Sequence, residues 1–123
     1  MRIYVSGPMT GHPKLNRDAF HAAAVKLRKN GHFVVNPHDL TPIFGTADEI
    51  ANSFKAYYEG AAQTYPNGSY RLAQSVMDAD LAAVRSCDAI YLLKGWENSR
   101  GAKKELAEAV KYDLMVLPEK EKP

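Results

Sequence analysis

The alternation of short apolar segments with amphipathic, helix-like segments constrains the fold of this 123-residue chain most strongly. Residues 2–6 are rich in β-branched and aromatic side chains, and residues 88–93 form a nearly continuous apolar run. Such runs are typical of strands buried on both faces of a parallel sheet. Strands that alternate with helices predict an α/β fold. We therefore expect a single-domain, Rossmann- or flavodoxin-like three-layer sandwich around a central parallel sheet of four to five strands.

The same patterns place the individual elements. Strands are predicted at residues 2–6, 32–35, 88–93 and 114–117. Helices are predicted from 17 or 19 to about 29, and at about 70–86 and 101–112. Asn16 or Asp18 is expected to cap the first helix, because side chains of this type bind free amides at helix starts. Its apolar stripe is predicted to comprise Phe20, Ala23, Ala24, Val25 and Leu27.

Residues 41–69 are less regular, because helix formers between 47 and 62 are mixed with turn-forming residues at 45 and 66–68. We expect a partly helical insert over one end of the sheet, and a long insert of this kind is a candidate lid. The domain is expected to span residues 1–118, followed by a charged, frayed tail at 119–123.

Charge and cysteine content exclude several functional classes. The 16 basic and 14 acidic residues leave a net charge of +2, which argues against a nucleic-acid polymer as partner. No apolar run reaches the roughly 20 residues of a membrane span, and the N-terminus does not resemble a signal peptide. Cys87 is the only cysteine, which fits a reducing, cytoplasmic location. The spacing of the four histidines and Cys87 does not predict a metal site.

Ligands of parallel sheets bind beyond the carboxyl ends of the strands. This rule points to three loops, at residues 6–13, 36–40 and 94–101. The first loop contains Gly7 and Gly11 but lacks the glycine patterns of dinucleotide-binding and ATP-binding loops, so a nicotinamide or ATP site is disfavoured. Its glycines permit close approach of a ligand to the backbone, or simply form a strand-to-helix turn.

The third loop carries more chemical information. Ser99 is a predicted helix cap, and the amides exposed around Gly101, with Arg100 beside them, suit an oxyanion such as phosphate. Glu105 lies one turn later and borders the apolar face of the helix. The alternative is that Ser99 is an ordinary cap and Glu105 a solvated helix residue.

Two aspartates and several aromatic residues also have two interpretations. Either Asp78 or Asp80 can face the cleft, or both are surface charges. Trp96 and the pair Tyr57–Tyr58 either stack on a ligand base or cover the core of the insert. Asp88 begins the third strand, at the end of the sheet away from these loops, and is expected to be structural.

Three motifs together resemble the nucleoside 2-deoxyribosyltransferase superfamily, and in particular a small, phage-associated branch related to the 2′-deoxynucleoside 5′-monophosphate N-hydrolases. They are the run at residues 4–11, Asp80-Leu81 ahead of residues 87–90, and the run at residues 99–106. The resemblance extends from residue 1 to about 117 and explains the insert least.

The resemblance implies roles for individual residues. Glu105 matches the catalytic glutamate that attacks the anomeric carbon, and Asp80 matches the aspartate that handles the leaving base or its proton. Tyr4 matches the tyrosine that positions the glutamate. The loop that wraps the sugar and base is matched by Gly7, Met9 and Gly11. No metal or organic cofactor is implied.

The residue six positions before the glutamate separates two branches of that superfamily. Nucleoside transferases tend to have an acid there, whereas monophosphate hydrolases have a serine that contacts phosphate. Ser99 therefore favours a nucleotide substrate. The chain departs from the pattern at Pro8, which removes an amide donor, and at Glu97, which is a second candidate acid.

The resemblance thus implies an N-glycosidase of (deoxy)nucleoside 5′-monophosphates, or an enzyme that transfers the deoxyribosyl group between bases. A homodimer or larger homo-oligomer is expected. Two other readings stay open: a non-catalytic nucleotide-sensing module on the same fold, and a structural protein. Fold alone does not decide between them.

Overall fold

The computed structural model describes residues 1–58 and 71–120. Its helices and strands lie close to the positions that the hydrophobic pattern predicts. In chain order they are β1 (Arg2–Ser6), α1 (Arg17–Lys29), β2 (Phe33–Val35), α2 (Ala47–Tyr58), α3 (Arg71–Arg85), β3 (Ala89–Leu92), α4 (Arg100–Lys111) and β4 (Met115–Pro118).

The four strands form one parallel sheet in the order β2-β1-β3-β4. Tyr4, in the middle of β1, pairs in register with Val35 on one side and Ile90 on the other. All four residues of β3 are buried, as expected for an internal strand. The predicted α/β class with a parallel sheet is confirmed, and the carboxyl ends of the strands meet at one edge.

The two faces of the sheet are buried by different helices. Ile3 and Val5 pack with Phe20 of α1. Tyr4 points to the opposite face, where Val84 of α3 and Ala109 of α4 join its cluster. This alternation follows from the two-residue period of a strand, and the sheet with one helical layer on each face makes three layers. Tyr4 therefore carries its hydroxyl group into the layer that contains α4.

Two details of the first helix differ from the prediction. Val25 is 38% exposed, because it lies off the face of α1 that the four other stripe residues bury. Asn16 occupies the capping position but makes no capping hydrogen bond. Its side-chain amide instead donates to the Pro8 carbonyl over 2.9 Å, which ties the start of α1 back to the first loop.

The first half of the predicted insert is helical. Ile50 of α2 packs with Val76 of α3 and with Leu15, which lies between the first loop and α1, in a small apolar cluster. The remainder of the insert, residues 59–69, lies outside the described residues, so its role as a lid stays a prediction. Glu119 of the predicted tail continues the sheet by donating its amide to the Leu92 carbonyl over 2.8 Å. Within the described ranges, no helix has the length and apolarity needed to cross a membrane.

Candidate active site

Glu105 is buried in α4 and held by two hydroxyl groups of β1. Only 5% of its surface is exposed. Tyr4 donates its phenolic hydrogen to Oε2 over 2.8 Å, and Ser6 donates its hydroxyl hydrogen to Oε1 over 2.6 Å. Tyr4 and Ser6 stand two residues apart on β1 and therefore point to the same face of the sheet. The structure brings Tyr4 and Glu105 together, which excludes the reading of Glu105 as a solvated helix residue.

Opposing effects set the protonation of Glu105. Burial disfavours the charged carboxylate, whereas the bonds from Ser6 and Tyr4 favour it. Burial dominates and raises the pKa of Glu105 to about 7. A carboxyl group with such a pKa is partly ionised near neutral pH, and its two donors fix the orientation of both oxygens.

Asp80 of α3 is the second buried carboxyl group, with 4% of its surface exposed. Its Oδ1 atom has no hydrogen-bond partner among the described residues. Burial, which has the larger effect, and the charge of Glu105 together raise the pKa of Asp80 to about 9. Asp80 therefore holds a proton at neutral pH. Asp78, two residues earlier, is exposed and accepts a hydrogen bond from Gln74, so the helix directs only one of the two aspartates inward.

A cavity of about 850 Å³ lies at the carboxyl edge of the sheet, and both Glu105 and Asp80 line it. This volume lies within the range that small-molecule sites usually occupy. Other predicted site residues that line the cavity are Gly7, Met9, Ser99 and Gly101. Residues of α2 form part of the wall, namely Ile50, Ala51, Asn52, Phe54, Lys55 and Tyr58.

The start of α4 contributes one end of the cavity. The Ser99 hydroxyl accepts a hydrogen bond from the Ala102 amide over 3.1 Å, which confirms the predicted cap. The first turn of α4 contains no acidic residue, and Arg100 also lines the cavity. Free amides and a guanidinium group at a helix start favour an anionic group of a ligand at this end.

Two residues predicted to bind substrate, and one of the three predicted ligand-binding loops, do not line this cavity. Gly11 is exposed at a turn with a φ of 86°, which glycine adopts without strain. Trp96 is half-buried and packs on the apolar cluster of Tyr4 instead. The loop at residues 36–40 also lies outside the cavity lining, and its His38 bonds to the Leu15 carbonyl over 3.0 Å through Nε2. Glu97, the alternative acid, is exposed and also lies outside the cavity lining.

Gly7 lines the cavity and also packs closely against Leu93. A β-carbon at this position would lie 2.7 Å from Cβ of Leu93. The glycine therefore allows the end of β1 to approach the chain just after β3, where both strands meet the cavity.

Sequence reasoning gave Ser6 no individual role, and it left Tyr58 open between a ligand contact and a core contact. Ser6 ends the predicted first strand and begins the first candidate loop, and its spacing from Tyr4 places both hydroxyl groups on one face. The position of Tyr58 in the cavity wall depends on how α2 packs, which no local pattern reveals. Asp88 is structural, as predicted, because its carboxylate accepts a hydrogen bond from the Arg2 amide over 2.8 Å.

The donor set of the site is two carboxyl groups and hydroxyl groups. Within residues 1–58 and 71–120, no cluster of three or more histidine, cysteine, aspartate or glutamate side chains is arranged to hold a metal ion.

Comparison with known proteins identifies a family but no activity. A family model described as a domain of unknown function, DUF4406, matches residues 1–117. No curated protein and no solved structure is significantly similar to the chain.

Proposed function

The chain belongs to the DUF4406 family, and we propose that it is an N-glycosidase that cleaves the base–sugar bond of (deoxy)nucleoside 5′-monophosphates. The observation that carries this proposal is the buried Glu105 carboxyl group, which Tyr4 and Ser6 hold at the cavity beside the protonated Asp80. Two carboxyl groups of different acidity in one cleft are what glycosidic cleavage requires.

In the proposed first step, an ionised Glu105 oxygen attacks C1′ of the sugar. The bond between C1′ and the base nitrogen breaks, and its electron pair leaves with the base. Asp80 donates its proton to that base, which makes the base a better leaving group. The products of this step are the free base, a glycosyl ester of Glu105 and the Asp80 carboxylate.

In the second step, a water molecule attacks C1′ and releases Glu105 as a carboxylate. The proton of the water goes to Asp80, which returns to its starting state. A second base in place of water gives transfer of the deoxyribosyl group rather than hydrolysis. Tyr4 and Ser6 stabilise the Glu105 carboxylate before attack and after release.

The phosphate is assigned to the start of α4. Ser99, Arg100 and the amides near Gly101 form the cationic end of the cavity, and a helix start of this kind stabilises a phosphate group. Glu105 also lines this cavity, and its ionised form disfavours a phosphate beside it by charge repulsion, whereas the protonated Asp80 carries no charge. The polarity of the cavity thus favours a substrate with its phosphate toward α4 and its base toward Asp80.

The proposal is tested by incubating the protein with nucleosides and nucleoside 5′-monophosphates of each base, with and without a free acceptor base. Release of free base, measured by chromatography, is expected from at least one monophosphate. Replacing Glu105 by glutamine should reduce this release about 10³-fold or more, because the amide cannot act as the nucleophile. The matched control is Glu97→Gln, which changes an exposed glutamate outside the cavity lining and should leave the rate unchanged.

Thermal stabilisation by nucleotides without any release of base would contradict the enzyme proposal and favour a nucleotide-sensing module. Undiminished activity of Glu105→Gln would remove Glu105 from the mechanism. Formation of a new nucleoside when an acceptor base is present would identify transfer rather than hydrolysis.

A further inference from the structure

The C-terminal end of α2 meets the first two turns of α4 through two neighbouring cation–aromatic pairs. The Arg100 guanidinium lies 5.2 Å from the centre of the Tyr58 ring, and the Lys104 ammonium lies 4.6 Å from the centre of the Tyr57 ring. Lys104 also bonds to the Tyr57 hydroxyl over 2.7 Å. Arg100 and Tyr58 line the cavity, whereas Lys104 and Tyr57 do not. The two pairs also contact each other, because the Lys104 ammonium lies 5.9 Å from the centre of the Tyr58 ring and the two tyrosine rings meet edge to face with centroids 5.1 Å apart.

Tyr58 is itself fixed, so it can hold the arginine in place. Its ring stacks on Phe54, with centroids 5.9 Å apart and an angle of 28° between the planes. Its backbone carbonyl accepts a hydrogen bond from Nη1 of Arg100 over 3.5 Å. The guanidinium thus contacts the ring and the backbone of one residue, and both contacts come from the insert helix rather than from α4.

We propose that Tyr58 is a positioning residue that holds Arg100 at the phosphate end of the cavity, so that preference for a 5′-monophosphate over a nucleoside depends on the insert helix. An arginine that is held before binding loses less side-chain freedom when it pairs with phosphate. Without the Tyr58 ring, Arg100 is freer to leave this place, and phosphate affinity falls. The inference rests on the proposed function in one respect, namely the position of the phosphate.

The experiment measures binding, so that it does not depend on turnover. Calorimetry on the Glu105→Gln protein gives the Kd of the four common 2′-deoxynucleoside 5′-monophosphates and of the four corresponding nucleosides. The quantity compared is the ratio of the two affinities for the same base. Tyr58→Leu should reduce the preference for monophosphate by about 2- to 5-fold, which is the effect expected of a partly exposed cation–aromatic contact.

Two variants separate positioning from folding. Tyr58→Phe keeps the ring and should keep the preference. Tyr57→Leu removes the contact to Lys104, outside the cavity, together with the edge contact between the Tyr57 and Tyr58 rings, so its effect on the preference should be smaller than that of Tyr58→Leu. Arg100→Gln should reduce it by about tenfold or more, as expected for loss of a charged hydrogen bond. Tyr58→Leu should have no further effect on the ratio in the Arg100→Gln protein.

An unchanged ratio in Tyr58→Leu, or equal losses in Tyr57→Leu and Tyr58→Leu, would overturn the inference. Absence of monophosphate binding by the parent protein would overturn it as well. Failure of the proposed function looks different: no base is released by the wild-type protein, while the ratio still depends on Tyr58. Release of base together with an unchanged ratio would leave the proposed function intact and remove only the role of Tyr58.

Discussion

Ser6 donates a hydrogen bond of 2.6 Å to Glu105, and this bond joins the end of the first strand to a helix that begins 94 positions later in the chain. It is shorter than the 2.8 Å bond from Tyr4 to the other carboxylate oxygen. Hydrogen bonds to an ionised carboxylate are short and strong. Ser6 is therefore as much a part of the support of Glu105 as Tyr4 is, and it makes the proposed nucleophile easier to ionise.

Removal of the Ser6 hydroxyl should shift the pH dependence of the reaction. The bond lowers the pKa of Glu105, so Ser6→Ala should raise that pKa. The acidic limb of kcat/KM should move to higher pH by about one unit, the size expected for a hydrogen bond to a charged group. Ser86→Ala removes an exposed hydroxyl elsewhere and is the control. A profile unchanged by Ser6→Ala would show that the bond does not affect the ionisation that controls the rate.

Asp80→Asn should remove the alkaline limb of the same profile. The proposed reaction needs ionised Glu105 and protonated Asp80, so kcat/KM should rise through the Glu105 pKa and fall through the higher Asp80 pKa. An asparagine cannot donate the proton, and the rate should fall by about 10²- to 10⁴-fold. Asp78→Asn changes the exposed neighbour and should keep both limbs. Retention of the alkaline limb in Asp80→Asn would assign that limb to another group.

The stability of the fold should also depend on Asp80 and pH. The pKa of Asp80 is higher in the folded state than in the unfolded state, where it is near 4. Its contribution to stability is therefore fully present below the unfolded-state pKa, and it is lost as pH rises through the folded-state pKa. The free energy of unfolding of Asp80→Asn minus that of the wild type should therefore increase between pH 5 and pH 9. Urea denaturation measures this difference, and each unit of pKa shift corresponds to about 1.4 kcal/mol. Asp78→Asn should show no such trend, and a flat difference for Asp80→Asn would mean that Asp80 is not protonated in the fold.

Ser99→Asp should separate phosphate binding from helix capping. Aspartate caps a helix about as well as serine does, so the fold should be retained. Its negative charge, however, repels a phosphate at the start of α4. KM for a monophosphate should rise by tenfold or more, on the order expected for a close like-charge pair, while KM for the nucleoside changes little. Ser99→Asn is the neutral control. Equal changes for both substrates would place the phosphate elsewhere.

Gly7→Ala should destabilise the fold by about 1–3 kcal/mol, the usual effect of an extra carbon in a packed site. The new β-carbon would meet Cβ of Leu93 at 2.7 Å, and that atom cannot move without its backbone. Gly101→Ala is the comparison, because the nearest atoms would lie 3.5 Å and 3.6 Å away and alanine favours the helix. Thermal unfolding should show a lower Tm for the first variant only. Equal Tm values would mean that the backbone at Leu93, just after β3, shifts at little cost to accommodate the new β-carbon.

The hydrophobic pattern predicted most of the fold because that pattern is local. The apolar runs around Tyr4 and Ile90 identified the inner strands, and Ser99 identified the start of α4. The burial of Glu105 was not predictable from its own surroundings, since its partners lie 99 and 101 positions away in the chain. The resemblance to a glycosidase superfamily paired Glu105 with Tyr4, but no sequence signal placed Trp96 outside the cavity or Tyr58 inside it.

Leu15 has a consequence for how the cavity responds to an occupant. Lys14, Leu15 and Asn16 adopt left-handed backbone angles, a conformation that is unfavourable for residues other than glycine, and Leu15 lines the cavity while it also packs between α2 and α3. Leu15 thus anchors the segment between the first loop and α1 in the apolar cluster of α2 and α3. A molecule that contacts Leu15 in the cavity therefore contacts a side chain that packs against Ile50 of α2 and Val76 of α3, so a displacement of Leu15 would disturb the packing of both helices.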